Sequence, residues 1–126
     1  MKKITYHKLV RDKIPEIIEQ AGNSCRVKVL SEEDYLKHLD AKLDEETAEY
    51  QQSNSLEELA DVLEVVYAIA EARGSSVEEL EAIRSIKAAN RGGFKKRILL
   101  EDVTEVYGKI PGCGEASRDV QLWPDR

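Results

Sequence analysis

The chain has 126 residues, which sets the expectation of one domain. It is 41% hydrophobic and 35% charged with 6% aromatics, a helix-forming composition. A net charge of -6 argues against a general nucleic-acid-binding surface, yet it leaves room for a nucleotide, because a bound metal reverses the local potential. Cys25 and Cys113 stand in no metal or redox spacing, so a reducing compartment is expected. No apolar h-region follows Met1-Lys2-Lys3 and no run is long enough to span a bilayer, which makes the cytoplasm the expected location.

In chain order, Lys8, Arg11 and Lys13 come just ahead of a short helix that Pro15 opens and Ala21-Gly22-Asn23 ends. Three cations at that place can hold a phosphate. The plainer reading is a solvated basic segment. Residues 25–30 alternate and are β-branched, so they read as one short strand, with residues 97–100 as its partner. Ser31-Glu32-Glu33-Asp34 has the form of a capping box and opens a long helix. Its apolar stripe runs Leu36, Leu39, Leu43 and Tyr50, and the missing step is Glu46. A carboxylate in such a stripe is costly unless it is paired or holds a cation.

Gln51 to Ser55 is a polar breaker suited to a helix–helix turn. Ser55-Leu56-Glu57-Glu58 is a second capping box, opening a helix to about Ala72. Glu58 has an ordinary reading as that cap. Asp61 has none, since Asp is a poor residue inside a helix. Leu56, Leu59, Val62, Leu63, Val65, Val66, Ile69 and Ala70 cover more than half of this helix, so a second subunit is expected to complete the bundle. Glu57, Glu64 and Glu71 read as a solvated stripe. After Gly74-Ser75-Ser76 comes a helix from about Val77 to Asn90, followed by Arg91-Gly92-Gly93-Phe94 amid lysines. These cations complement a helix C-terminus or build a phosphate-binding turn. Residues 104–126, rich in Gly and Pro, read as a C-terminal tail beyond a domain of residues 1–103.

The acids carry the chemistry. Glu46 and Glu49 share one face of the first long helix, and Glu58 and Asp61 share one face of the next. In an antiparallel hairpin, residues at equal height have a constant index sum, and 46 with 61 matches 49 with 58. Four oxygen ligands then form a square between two helices, a hard-cation site for Mg²⁺ or Mn²⁺ rather than zinc.

Glu45-Glu46-x-x-Glu49 followed by Glu58-x-x-Asp61 resembles the signature of the all-α, MazG-like nucleoside triphosphate pyrophosphohydrolases. Relatives of that superfamily include phosphoribosyl-ATP pyrophosphohydrolases and dimeric dUTPases. Residues 8–15, Lys-Leu-Val-Arg-Asp-Lys-Ile-Pro, look like the opening of a small subfamily, and Lys87-x-x-x-Arg91-Gly92-Gly93-Phe94 looks like its closing motif. The spacer between the acidic halves is short for the group. The resemblance implies a mainly all-α helical bundle completed by oligomerisation, with at most a short two-stranded β element. It implies Mg²⁺, with Mn²⁺ as a substitute, on Glu46, Glu49, Glu58 and Asp61, and hydrolysis between the α- and β-phosphates to give a nucleoside monophosphate and pyrophosphate. Glu45 is offset around the helix and is the expected general base. Lys8, Arg11, Lys87, Arg91 and Lys95 are the expected phosphate-binding cations. The expected role is house-cleaning of non-standard nucleotides by a homodimer or higher homo-oligomer, with no nucleic acid polymer or membrane as partner. Two readings stay open beside it: phosphoribosyl-ATP hydrolysis, and a non-enzymatic helical interaction module.

Overall fold

The computed structural model describes residues 1–106, and these are all-α. Four helices follow in order: α1 (Ile14–Gln20), α2 (Glu32–Ser53), α3 (Leu56–Ala72) and α4 (Val77–Arg91). Backbone contacts divide the chain into a unit Met1–Glu81 and a second unit that begins at Ala82. Most of the expected tail, with Cys113 and Trp123, lies outside the described residues.

Each helix begins and ends where local chemistry dictates. Pro15 stands in the first turn of α1, where the missing N–H costs nothing. The helix ends in a Schellman motif. Gly22, at φ 90°, donates to Glu19 and Asn23 donates to Ile18. The hydroxyl of Ser31 accepts from the Asp34 amide and starts α2, and Ser55 does the same for Glu58 and α3. The hydroxyl of Ser76 accepts from the Glu79 amide at the head of α4. The breaker is shorter than the composition suggests. Gln51, Gln52 and Ser53 stay helical, and Asn54 alone turns left-handed at φ 56° to end α2. Asn tolerates that conformation better than other side chains.

The strand expected over residues 25–30 does not form, nor does its partner at 97–100; there is no strand among the described residues. Val27 and Val29 are exposed on extended chain. A lone pair of strands is marginal in water without a third strand or a helix to cover its apolar face, so alternation alone is insufficient here.

Within the first unit α2 and α3 pack side by side as a hairpin joined by Asn54 and Ser55. Its tightly buried apolar residues are Leu39 on α2 and Val65 on α3, with Leu43, Tyr50, Val62, Val66 and Ile69 half-buried beside them. Leu56, Leu59 and Leu63 remain 77%, 43% and 47% exposed along α3. The broad apolar circumference of α3 is therefore covered on one side only within this unit. Glu57, Glu64 and Glu71 are exposed, as the solvated stripe requires.

Candidate metal centre

The hairpin brings Glu46 from α2 together with Glu58 and Asp61 from α3. One carboxylate oxygen from each lies within 4.8 Å of the others. Glu46 occupies the gap in the apolar stripe of α2, so its side chain enters the packed side of the helix and is only 8% exposed. Its Oε2 lies 3.4 Å from the Lys42 ammonium, while Oε1 is buried and accepts no hydrogen bond. A buried carboxylate oxygen without a partner is expensive, and a cation beside it removes the cost. This donor set consists of carboxylates alone, which suits a hard divalent ion.

Glu58 is not spent as a reciprocal cap, because the Ser55 amide donates to the Ser53 hydroxyl instead. Burial first, and then the neighbouring charges of Glu49 and Asp61, push the Glu58 carboxyl above its ordinary value. Glu49 thus acts on the cluster from the next turn of α2, although it lies outside the tight group of three.

The N-terminal segment crosses the hairpin as a strap tied to both helices. The Lys8 ammonium pairs with Glu45 Oε2 on α2 at 2.5 Å, and the Arg11 guanidinium pairs with Asp61 Oδ1 on α3 at 2.6 Å. The Arg11 carbonyl accepts from the Ile14 amide in the turn that starts α1, which fixes where the guanidinium is launched. Glu45, the expected general base, has its other oxygen 3.2 Å from Lys42. The Lys8 hydrogen bond, assisted by Lys42 and opposed by burial, holds the Glu45 carboxyl below its usual range. The same contact raises the Lys8 pKa. Glu45 in this state is a clamped anion and a weak base.

Counted together, the carboxylates of residues 45, 46, 49, 58 and 61 face Lys8, Arg11 and Lys42. The excess is two negative charges, the charge of one divalent cation. Lys42 is a residue that the sequence reading missed. Its signal was present, since a lysine three and four positions ahead of Glu45 and Glu46 shares their helix face. Lys87 and Arg91 stand at the end of α4 and Lys95 beyond Gly92 and Gly93, outside the first unit.

No helix among the described residues is long and apolar enough to cross a membrane. No family model matches the chain, and no solved structure matches it. Over 41 residues the chain is 54% identical to an uncharacterized protein of Mycolicibacterium smegmatis, a stretch that covers 32% of this chain and 42% of that protein. The chain therefore spans less than half the length of that relative.

Proposed function

We propose that the protein is a Mg²⁺-dependent nucleoside triphosphate pyrophosphohydrolase of the MazG-like type, releasing a nucleoside monophosphate and pyrophosphate. The observation that carries this reading is the buried, unpartnered oxygen of Glu46 within the three-carboxylate cluster. A structural acid at that position would be neutralised by a full set of hydrogen bonds, whereas a cation ligand needs a free lone pair. Glu46, Glu58 and Asp61 would hold the ion, with Glu49 completing the set from the adjacent turn. When bound, Mg²⁺ supplies charge neutralisation for the triphosphate and a more acidic water for attack at the α-phosphorus.

The chain's own residues do the rest. Lys8 and Arg11 already lie at the cluster, and they steady negative charge on the phosphate chain. Glu45 orients the attacking water once its ammonium partners turn to the phosphates, and until then it keeps those cations in place. A second copy covers Leu56, Leu59 and Leu63 of α3 and completes the bundle, in the cytoplasm. The test is pyrophosphate release from a panel of nucleoside triphosphates, standard and non-standard, with phosphoribosyl-ATP in parallel. Release from the triphosphates with Mg²⁺, abolished by a chelator, is the expected result. Turnover of phosphoribosyl-ATP alone would move the assignment to that substrate. No turnover of any of them would leave a helical interaction module.

A further inference from the structure

Two of the three clustered carboxylates already have one oxygen engaged by a cation of the chain itself. On α2 the Lys42 ammonium lies 3.4 Å from Oε2 of Glu46, and on α3 Oδ1 of Asp61 takes the Arg11 guanidinium at 2.6 Å. Each of these acids keeps one oxygen for the cluster, and on Glu46 the oxygen left over is the buried, unpartnered Oε1. We propose that Lys42, seconded by Arg11, makes this a site of single-oxygen ligands and thereby selects a small divalent ion, Mg²⁺ or Mn²⁺, against Ca²⁺. The inference rests on the metal centre proposed above and not on the reaction assigned to it. Lys42 is a positioning residue here, since it touches the ligand and not the ion.

Lys42 is well held for this part. Its side chain is only 22% exposed, and it stands one helical turn before Glu46, a spacing that puts both on one face of α2. Oε1 of Glu45 accepts from the same ammonium at 3.2 Å, while Oε2 of Glu45 pairs with Lys8 at 2.5 Å. Charges thus alternate from Lys8 through Glu45 and Lys42 to Glu46, and the last contact fixes how the ligand carboxylate is turned. A lysine so near a divalent ion lowers the affinity of the site for every such ion, because like charges repel. What it controls in exchange is denticity. Ca²⁺ takes about six to eight oxygens at about 2.3–2.6 Å and readily uses both oxygens of one carboxylate. Mg²⁺ takes an octahedron at about 2.0–2.1 Å and keeps several waters. One oxygen from each of Glu46, Glu58 and Asp61 leaves half of that octahedron open to water and phosphate, an ordinary complement for Mg²⁺. The same set leaves Ca²⁺ well short of its usual protein shell. Arg11 does for Asp61 what Lys42 does for Glu46, but more loosely, because both members of that pair are more than a third exposed.

The experiment measures the ratio of Mg²⁺ to Ca²⁺ affinity by calorimetry on the full chain, after circular dichroism has confirmed folding. Wild type is compared with Lys42→Met, Lys42→Arg, Arg11→Gln and the control Lys37→Gln. Lys42→Met keeps the length of the side chain and removes its charge. The lost repulsion strengthens both ions alike and cancels in the ratio, whereas the freed Oε2 of Glu46 helps Ca²⁺ alone. The preference for Mg²⁺ should therefore fall by about tenfold, the worth of one further carboxylate oxygen. Arg11→Gln should shift the ratio in the same direction by less. Lys42→Arg retains the charge and the donors and should keep the wild-type preference. Lys37→Gln removes an equal charge from an exposed position of α2 and should change nothing. Difference infrared spectroscopy with Ca²⁺ should show a two-oxygen carboxylate ligand in Lys42→Met that wild type lacks. A wild type that holds Ca²⁺ as tightly as Mg²⁺, or a folded Lys42→Met with the wild-type ratio, overturns the proposal. If Lys42→Met does not fold, Arg11→Gln decides, and an unchanged ratio there overturns it as well. No uptake of either ion by wild type would remove the metal centre and the proposal together. Triphosphate turnover is measured alongside: a shifted ratio without turnover would keep the role of Lys42 and remove the enzyme, and turnover with an unshifted ratio would do the reverse.

Discussion

Asp61→Asn separates a metal ligand from an ordinary surface acid, because in the metal-free chain its effects nearly cancel. Asp61 Oδ1 pairs with Arg11 at 2.6 Å, with both side chains more than a third exposed. Exposed pairs of that kind contribute about 0–1 kcal/mol. Against this stands repulsion from Glu46, whose oxygen is within 4.8 Å of that of Asp61. At that distance two unit charges repel by about 1 kcal/mol in a water-like dielectric. The net change is within about 1 kcal/mol, or about 4 °C in melting temperature for a domain of this size. Mg²⁺ removes the cancellation. At one hundred times its dissociation constant, an ion that binds only the native state adds about 2.7 kcal/mol, or roughly 10 °C. Loss of a direct ligand should weaken binding about a hundredfold, since even partners behind the ligands cost up to that much. At the same Mg²⁺ concentration the gain then falls to about 0.4 kcal/mol. The assay is thermal melting followed by circular dichroism, with chelator and with Mg²⁺, on wild type, Asp61→Asn and the exposed control Glu57→Gln. Pyrophosphate release on the same samples should fall by orders of magnitude for Asp61→Asn alone. A Mg²⁺-induced rise in Asp61→Asn equal to that of wild type would refute the ligand assignment.

Glu58 gives a pH test in the metal-free chain. Its folded pKa is raised above the ordinary 4.5 by burial, Glu49 and Asp61, so the folded state binds a proton that the unfolded state releases. Its ionised form destabilises the fold above the raised value, and that penalty disappears as pH falls through it toward 4.5. Glu58→Gln should therefore exceed wild type in stability at pH 7 with chelator, and the gap should narrow on acidification; a gap that widens contradicts the sign. Leu39→Ala removes one of the few tightly buried apolar side chains and should cost about 2–5 kcal/mol in urea unfolding, a large share of a small domain's stability. Light scattering should give a dimer or larger assembly, and Leu63→Glu, at a position 47% exposed on α3, should return it to a monomer of 14.2 kDa. A wild-type monomer at working concentration would count against a shared α3 face.

Helix starts were the most legible feature of the sequence. Ser31, Ser55 and Ser76 each stand three residues before the amide they cap, a relation internal to one turn. Glu46 was legible for a different reason, since an acid in a leucine stripe contradicts the pattern around it. What escaped depends on distance in sequence. Residues 25–30 have the alternation of a strand, yet a strand exists only through its partners. Lysines are ordinary on helices, and Lys42 differs from Lys37 only in standing three and four positions ahead of Glu45 and Glu46, a local signal easily passed over beside the acids themselves. The strap is still less legible. Lys8 and Arg11 find Glu45 and Asp61 across 37 and 50 positions, and spacing along the chain carries no trace of that. Nor does periodicity tell a buried Val65 from an exposed Leu63, because a core face and an interface face are written in the same residues.

The turn at Asn54 and Ser55 determines how the hairpin can change in evolution. Surface connections usually tolerate insertions and deletions. This one does not have that freedom, because it meters the register of α3 against α2. One residue added between Asn54 and α3, with the junction kept, would move Glu58 and Asp61 along their helix by about 1.5 Å and rotate them by about 100°. The carboxylates would leave the face they share with Glu46 while every helix stayed intact. One-residue indels at this joint, with the junction kept, should therefore produce folded chains that no longer respond to Mg²⁺.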